Sequence, residues 1–83
     1  SGAEVDFVLY GEAGLFAFEL KRRAHVENRD FSALRTFMKD YPMARCYLIH
    51  GGSHAEQFGD MTALPIVAAL SRLPNLLSSF DSP

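Results

Sequence analysis

The chain has 83 residues, a formal net charge of −2 and a single cysteine. That length allows one domain, of the size that buries only about 60% of the surface its unfolded chain exposes. One thiol excludes an internal disulfide framework and a cysteine-based zinc cluster, the lack of a basic excess argues against a nucleic-acid coating protein, and no run approaches the ~20 apolar residues of a membrane span or shows the basic start and apolar core of a secretory signal.

Residues Glu4 to Tyr10 alternate around Val5, Phe7 and Leu9, a period of two that predicts a strand. Gly11 to Gly14 reads as a turn. Leu15 to Lys21 is a second strand with Phe16, Phe18 and Leu20 on one side. Asp30 suits an N-cap, and Phe31, Leu34, Phe37, Met38 and Tyr41 then recur at helical spacing. The helix should stop at Tyr41, because a residue before proline avoids the α conformation. Arg45 to His50 is a nearly continuous apolar run, which predicts a central strand parallel to a neighbour, ended by Gly51-Gly52. Cys46 sits in that run and reads as a core thiol, in keeping with a cytoplasmic protein. The polar stretch Ser53 to Asp60 is expected as a loop, and Met61 to Leu64 as a short strand. Pro65 suits the first turn of a last helix, with Ile66, Val67, Leu70 and Leu73 as its apolar stripe and Pro74 as its end. The tail 75–83 reads as partly disordered. The expectation is a single α/β domain over 1–83: a small mixed β-sheet with flanking helices, in the order β-β-α-β-(β)-α. The helix between the second and third strands would form a right-handed crossover.

In register, the hairpin sets Tyr10 opposite Leu15, Val8 opposite Ala17, Asp6 opposite Glu19 and Glu4 opposite Lys21, all on one side of the sheet. The other side carries Val5, Phe7, Leu9, Phe16, Phe18 and Leu20, and is expected to pack on a helix. Directly opposed carboxylates, about 4.5–5.5 Å apart at Cβ, repel each other. A divalent cation relieves that repulsion, since oxygen ligands suit Mg²⁺ or Mn²⁺. Two acids and a lysine around such a cation suit phosphodiester hydrolysis: the metal activates water and offsets charge on phosphorus, and the lysine adds fixed positive charge.

Asp6, a twelve-residue gap and Glu19-Leu20-Lys21 resemble the core of the PD-(D/E)XK nuclease superfamily, also called restriction-endonuclease-like. The wider text, Gly2-Ala3-Glu4-Val5-Asp6-Phe7-Val8-Leu9 and Phe16-Ala17-Phe18-Glu19-Leu20-Lys21, is similar to a C-terminal module of unknown function found on bacterial and archaeal AAA-type ATPases. The resemblance continues through Tyr41-Pro42, the strand end Leu48 to Gly52, and Leu64-Pro65. It implies that Asp6, Glu19 and the main-chain carbonyl of Leu20 hold Mg²⁺ or Mn²⁺, that Lys21 positions or activates water, and that no organic cofactor is needed. It also implies an ATPase domain in the same parent chain and a nucleic acid, DNA or RNA, as a substrate; the chain departs from the family pattern in starting at the first strand, a nuclease core lacking its N-terminal helix. An exposed edge or core face in such a piece would favour a homodimer.

Glu4 has no certain counterpart and reads as an auxiliary acid or as a salt-bridge partner of Lys21. Arg22, Arg23 and Arg29 read either as phosphate contacts beside the site or as a solvated loop. The plainer account of Asp6, Glu19 and Lys21 is an exposed strand face with a cross-strand ion pair contributing about 0–1 kcal/mol. The corresponding alternative function is a catalytically inactive interaction or oligomerisation module. His25, His50 and His54 lack metal-ligand spacing and read as structural or surface residues.

Overall fold

Alternating side chains in Phe7–Gly11 (β1) and Gly14–Lys21 (β2) build the expected antiparallel hairpin. The chain is described by a computed structural model covering residues 5–78. Tyr10 pairs with Leu15, Val8 with Ala17 and Phe7 with Phe18, in the register counted from the sequence. The turn is tighter than expected, with Gly11 and Gly14 themselves paired. β1 also starts later than the alternation implied, at Phe7, because the chain bends at Asp6. That bend moves Val5 away from the side of Phe7 and Leu9 and into the cluster beneath the first helix.

A 3-10 turn, Asn28–Phe31, leads into α1, Ser32–Asp40. Asp30 is therefore inside the turn rather than an N-cap. Its carboxylate accepts the Glu27 N–H at 2.8 Å, and its own N–H donates to the Glu27 carbonyl at 2.9 Å. α1 stops before Tyr41-Pro42, as expected. Arg45–His50 (β3) is central and parallel to both neighbours, β2 and β5 (Met61–Pro65). The five-stranded mixed sheet runs β1-β2-β3-β5-β4, with Glu56–Phe58 as β4.

Two elements differ from expectation. Glu56–Phe58 forms a short edge strand, β4, inside the stretch read as a loop. It pairs antiparallel with β5 through a two-residue turn in which Gly59 takes φ +63°, the geometry a tight hairpin needs at its first central position. The last helix, α2, begins at Ile66 and runs through Pro74 to Ser78. Pro65 closes β5 instead of opening the helix. Pro74 costs α2 one backbone hydrogen bond without ending it. Residues 79–83 of the expected tail lie outside the described residues. No helix among the described residues is long and apolar enough to cross a membrane.

Both sides of the sheet carry helices. α1 lies on the side bearing Leu15, Ala17, Cys46, Leu48 and Ala63, where Phe31 and Leu34 are fully buried. The expected apolar side is covered only in part, by α2, and the side that also carries Glu19 and Lys21 is covered as well, by α1. Small side chains at Ala17, Cys46 and Ala63 let α1 approach there. α2 covers the β3 and β5 part of the opposite side, burying Leu64 and Ala69 but leaving Phe7 56% and Leu20 43% exposed. Val67, expected in the apolar stripe, faces solvent. Cys46 is buried, and burial is the main reason its thiol is pushed up from the usual value.

Gly51 and Gly52 do more than end β3. Their backbone lies against the segment after β2: Gly51 N–H donates to the Arg23 carbonyl at 3.0 Å, and a Cβ on Gly52 would stand 2.2 Å from the Ala24 carbonyl oxygen. Gly52→Ala should therefore cost about 1–3 kcal/mol through overpacking, read as a lower urea midpoint with an unchanged m-value.

Candidate functional site

β2 carries Glu19 and Lys21 on one side of the sheet, and the bend before β1 brings Asp6 to the same end of the hairpin. Lys21 Nζ lies 3.9 Å from Glu19 Oε2, with the two side chains 32% and 12% exposed. Asp6 Oδ2 accepts the Leu20 N–H at 2.8 Å. The side chain of Asp6 thus continues the hydrogen bonding of the hairpin past Phe7, where the β1 ladder ends. A strand residue's N–H and C=O project from the same edge, so the Leu20 carbonyl lies on the edge that Asp6 faces. The expected trio is therefore brought together at one corner of the sheet. Glu4 lies outside the described residues.

Glu19 is the strained member. Its pKa is raised from the usual glutamate value, first by burial and next by the charge of Asp6, while the Lys21 ammonium pulls partly the other way. Its Oε1 is buried and has no hydrogen-bond partner among the described residues. Unpaired buried carboxylate oxygens are unusual and costly. A cation or a proton donor at that atom would remove the cost, so the donor set fits a hard divalent ion. Asp6, Glu19 and their neighbours do not form a preassembled group of three His, Cys, Asp or Glu ligands among the described residues. Two carboxylates and the Leu20 carbonyl are what the corner offers.

The raised pKa has a sign that can be checked. A carboxylic acid whose folded pKa is raised favours the folded state when protonated, and that contribution is lost as pH rises through the folded value. At neutral pH the ionised Glu19 therefore weakens the metal-free fold. Glu19→Gln should unfold at higher denaturant than the parent at pH 7, and the difference should shrink as pH falls below the raised pKa.

The basic segment is mostly committed internally. Arg23 pairs with the buried carboxylate of Asp30, and Arg29 Nε lies 2.9 Å from Glu27 Oε2. Asp30 is held below the usual carboxylate range, chiefly by the Glu27 N–H, with Arg23 and Lys21 adding positive charge nearby. All three arginines are exposed, and Arg22 is the one with no ion pair among the described residues. His25 and His54 are exposed, as read from the sequence. His50 is a structural histidine, as read from the sequence. It sits beside Lys21 in the β2–β3 register, is 3% exposed, and accepts the Gly52 N–H on Nδ1 at 3.0 Å. Its place at the C-terminal end of a central strand was the available signal.

No curated protein and no solved structure matches the chain. A family model does, over residues 1–69, which include β1 to β5 and the whole corner formed by Asp6, Glu19 and Lys21. The chain belongs to the family described as a domain of unknown function, DUF4143.

Proposed function

We propose that this domain is a PD-(D/E)XK-like phosphodiesterase site that works with Mg²⁺ or Mn²⁺. The observation that carries the reading is the juxtaposition of Asp6, Glu19 and Lys21, with Glu19 Oε1 buried and unpaired. Asp6, Glu19 and the Leu20 carbonyl would hold the ion. When bound, the ion would supply charge that acidifies a water and offsets the developing charge on phosphorus. Lys21, whose Nζ lies 3.9 Å from Glu19 Oε2, would add a fixed positive charge beside that water and a phosphate oxygen. Of Arg22, Arg23 and Arg29, Arg22 is the one without an ion pair among the described residues and so the one free to meet a neighbouring phosphate, which makes the expected salt sensitivity of binding shallow. A nucleic acid, DNA first, as the substrate and an ATPase domain in the parent chain follow from the resemblance, a cytoplasmic setting from the lone core thiol of Cys46, and all belong to the same proposal.

The direct test is titration calorimetry with Mn²⁺, together with nicking of supercoiled plasmid in Mg²⁺ or Mn²⁺. Binding heat with metal-dependent nicks is expected. A folded protein that gives no heat would end the metal-site reading.

One observation favours a second reading. The face of Phe7, Leu20 and Leu70 (61% exposed) surrounds an apolar cleft of about 280 Å³. Exposed apolar surface of this kind marks interaction sites. On this reading the acids are relics and the domain is an interaction or oligomerisation module. It would form dimers by light scattering without metal and would nick nothing under any divalent ion.

A further inference from the structure

Two buried side-chain atoms among the described residues have no hydrogen-bond partner: Glu19 Oε1 and His50 Nε2. They are chemically complementary. His50 Nδ1 accepts the Gly52 N–H, so in the neutral ring Nδ1 is bare and the proton sits on Nε2. One orphan is therefore a donor and the other an acceptor. They also share a side of the sheet: Glu19 pairs with Leu48 and His50 with Lys21 across the parallel β2–β3 ladder. Strand spacing and a two-residue offset put their Cβ positions roughly 8 Å apart, a gap that the two side chains and one water span.

From this geometry we infer that His50 is a positioning residue for Glu19, its Nε2–H joined to Oε1 through a single buried water. The linkage satisfies both atoms at once, whereas leaving them bare carries two desolvation penalties. It also explains the Gly51-Gly52 pair. The Gly52 N–H selects the His50 tautomer, and that N–H approaches because Gly52 has no Cβ to strike the Ala24 carbonyl. The bare Nδ1 is already occupied as an acceptor, so His50 orients a ligand rather than binding metal itself. In metal sites such outer partners fix the direction of the ligating carboxylate. The hydrogen-bond linkage stands on its own; its effect on metal affinity rests on the nuclease reading.

The test uses histidine labelled with ¹⁵N in the metal-free chain. His50 should show a protonated Nε2 and an unprotonated Nδ1. In Glu19→Leu, which removes the acceptor while keeping bulk, the Nε2–H resonance should move and exchange faster with water. An unchanged resonance in that variant would overturn the inference, as would a proton on Nδ1. The second arm is Mn²⁺ titration: His50→Leu should bind about 10–100-fold more weakly, and His50→Gln, which keeps an N–H donor, should recover part of the loss. Equal affinities for the parent and His50→Leu would also overturn it. If the parent itself binds no Mn²⁺, the metal-site reading fails and the ¹⁵N comparison alone decides the linkage.

Discussion

Lys21→Ala is expected to keep Mn²⁺ affinity within a few-fold of the parent while slowing plasmid nicking by about 10²–10³-fold, the effect of removing one electrostatic stabiliser of developing charge. Glu19→Ala and Asp6→Ala should instead abolish the binding heat, and cleavage with it. The split follows from position. Glu19 presents an unpaired oxygen and Asp6 flanks it, whereas Lys21 touches Glu19 at 3.9 Å and offers only positive charge. Removing the ammonium also removes the larger of the two contributions that lower the Glu19 pKa, the other being a backbone hydrogen bond from Asp6. The Lys21→Ala protein should therefore lose metal at a higher pH than the parent does, because a carboxylate must be deprotonated to ligate. Calorimetry at pH 5.5 and 7.5 separates this proton effect from a lost ligand: a lost ligand is silent at both values. If Lys21→Ala nicks DNA at the parental rate, the lysine has no part in the chemistry and the proposal loses its third member.

The hairpin register was legible because it depends on two local rules. Side chains alternate along a strand, and a short turn fixes which residues face each other. Glu19 and Lys21 could thus be placed on one side of β2 from spacing alone, whereas Asp6 is not paired with Glu19 in the ladder: it lies at the bend beyond Phe7 and reaches the corner through its side chain. The side on which α1 packs was not legible. β2 is apolar on one side through large residues, Phe16, Phe18 and Leu20, and on the other through Leu15 and Ala17. Judged by bulk, the first side should take the helix. Packing depends on fit as well as on bulk, and the small surface of Ala17, Cys46 and Ala63 is where Phe31 and Leu34 of the crossover segment bury completely. β4 was missed because a three-residue edge strand with Glu56 and Gln57 outward has little apolar signal; the dipeptide Gly59-Asp60 was the cue. Arg23 reads as free for phosphate while Asp30 is taken for a helix cap rather than for an arginine's partner, and Arg29 while its ion pair with Glu27, two residues earlier, is left out. The structural role of His50 was legible, but its place on the same side of the sheet as Glu19 depends on the β2–β3 register, in which its partner is Lys21, two residues past Glu19.

The largest stability effect should come from Phe31→Ala, at about 3–5 kcal/mol. Phe31 is fully buried, its ring 4.7 Å from that of Phe58 and capped on another side by the Arg35 guanidinium at 5.8 Å. It joins the 3-10 turn and α1 to the far edge strand β4, so its loss opens a cavity spanning three elements. A chain of 83 residues is worth only about 4–12 kcal/mol in total, and this one substitution removes a large share of that. Val67→Ala is the matched control: Val67 is 75% exposed, and its loss should stay within about 0.5 kcal/mol. Urea denaturation of the two variants measures both. The consequence reaches the candidate site, because Asp30 precedes Phe31 in the same turn and holds Arg23 and the local positive field around Lys21. Amide exchange should therefore quicken across residues 22–31 in Phe31→Ala before β2 and β3 open. A loss under 1 kcal/mol would mean that the α1 side is not the main core, and the support assigned to Glu19 and Lys21 from that side would go with it.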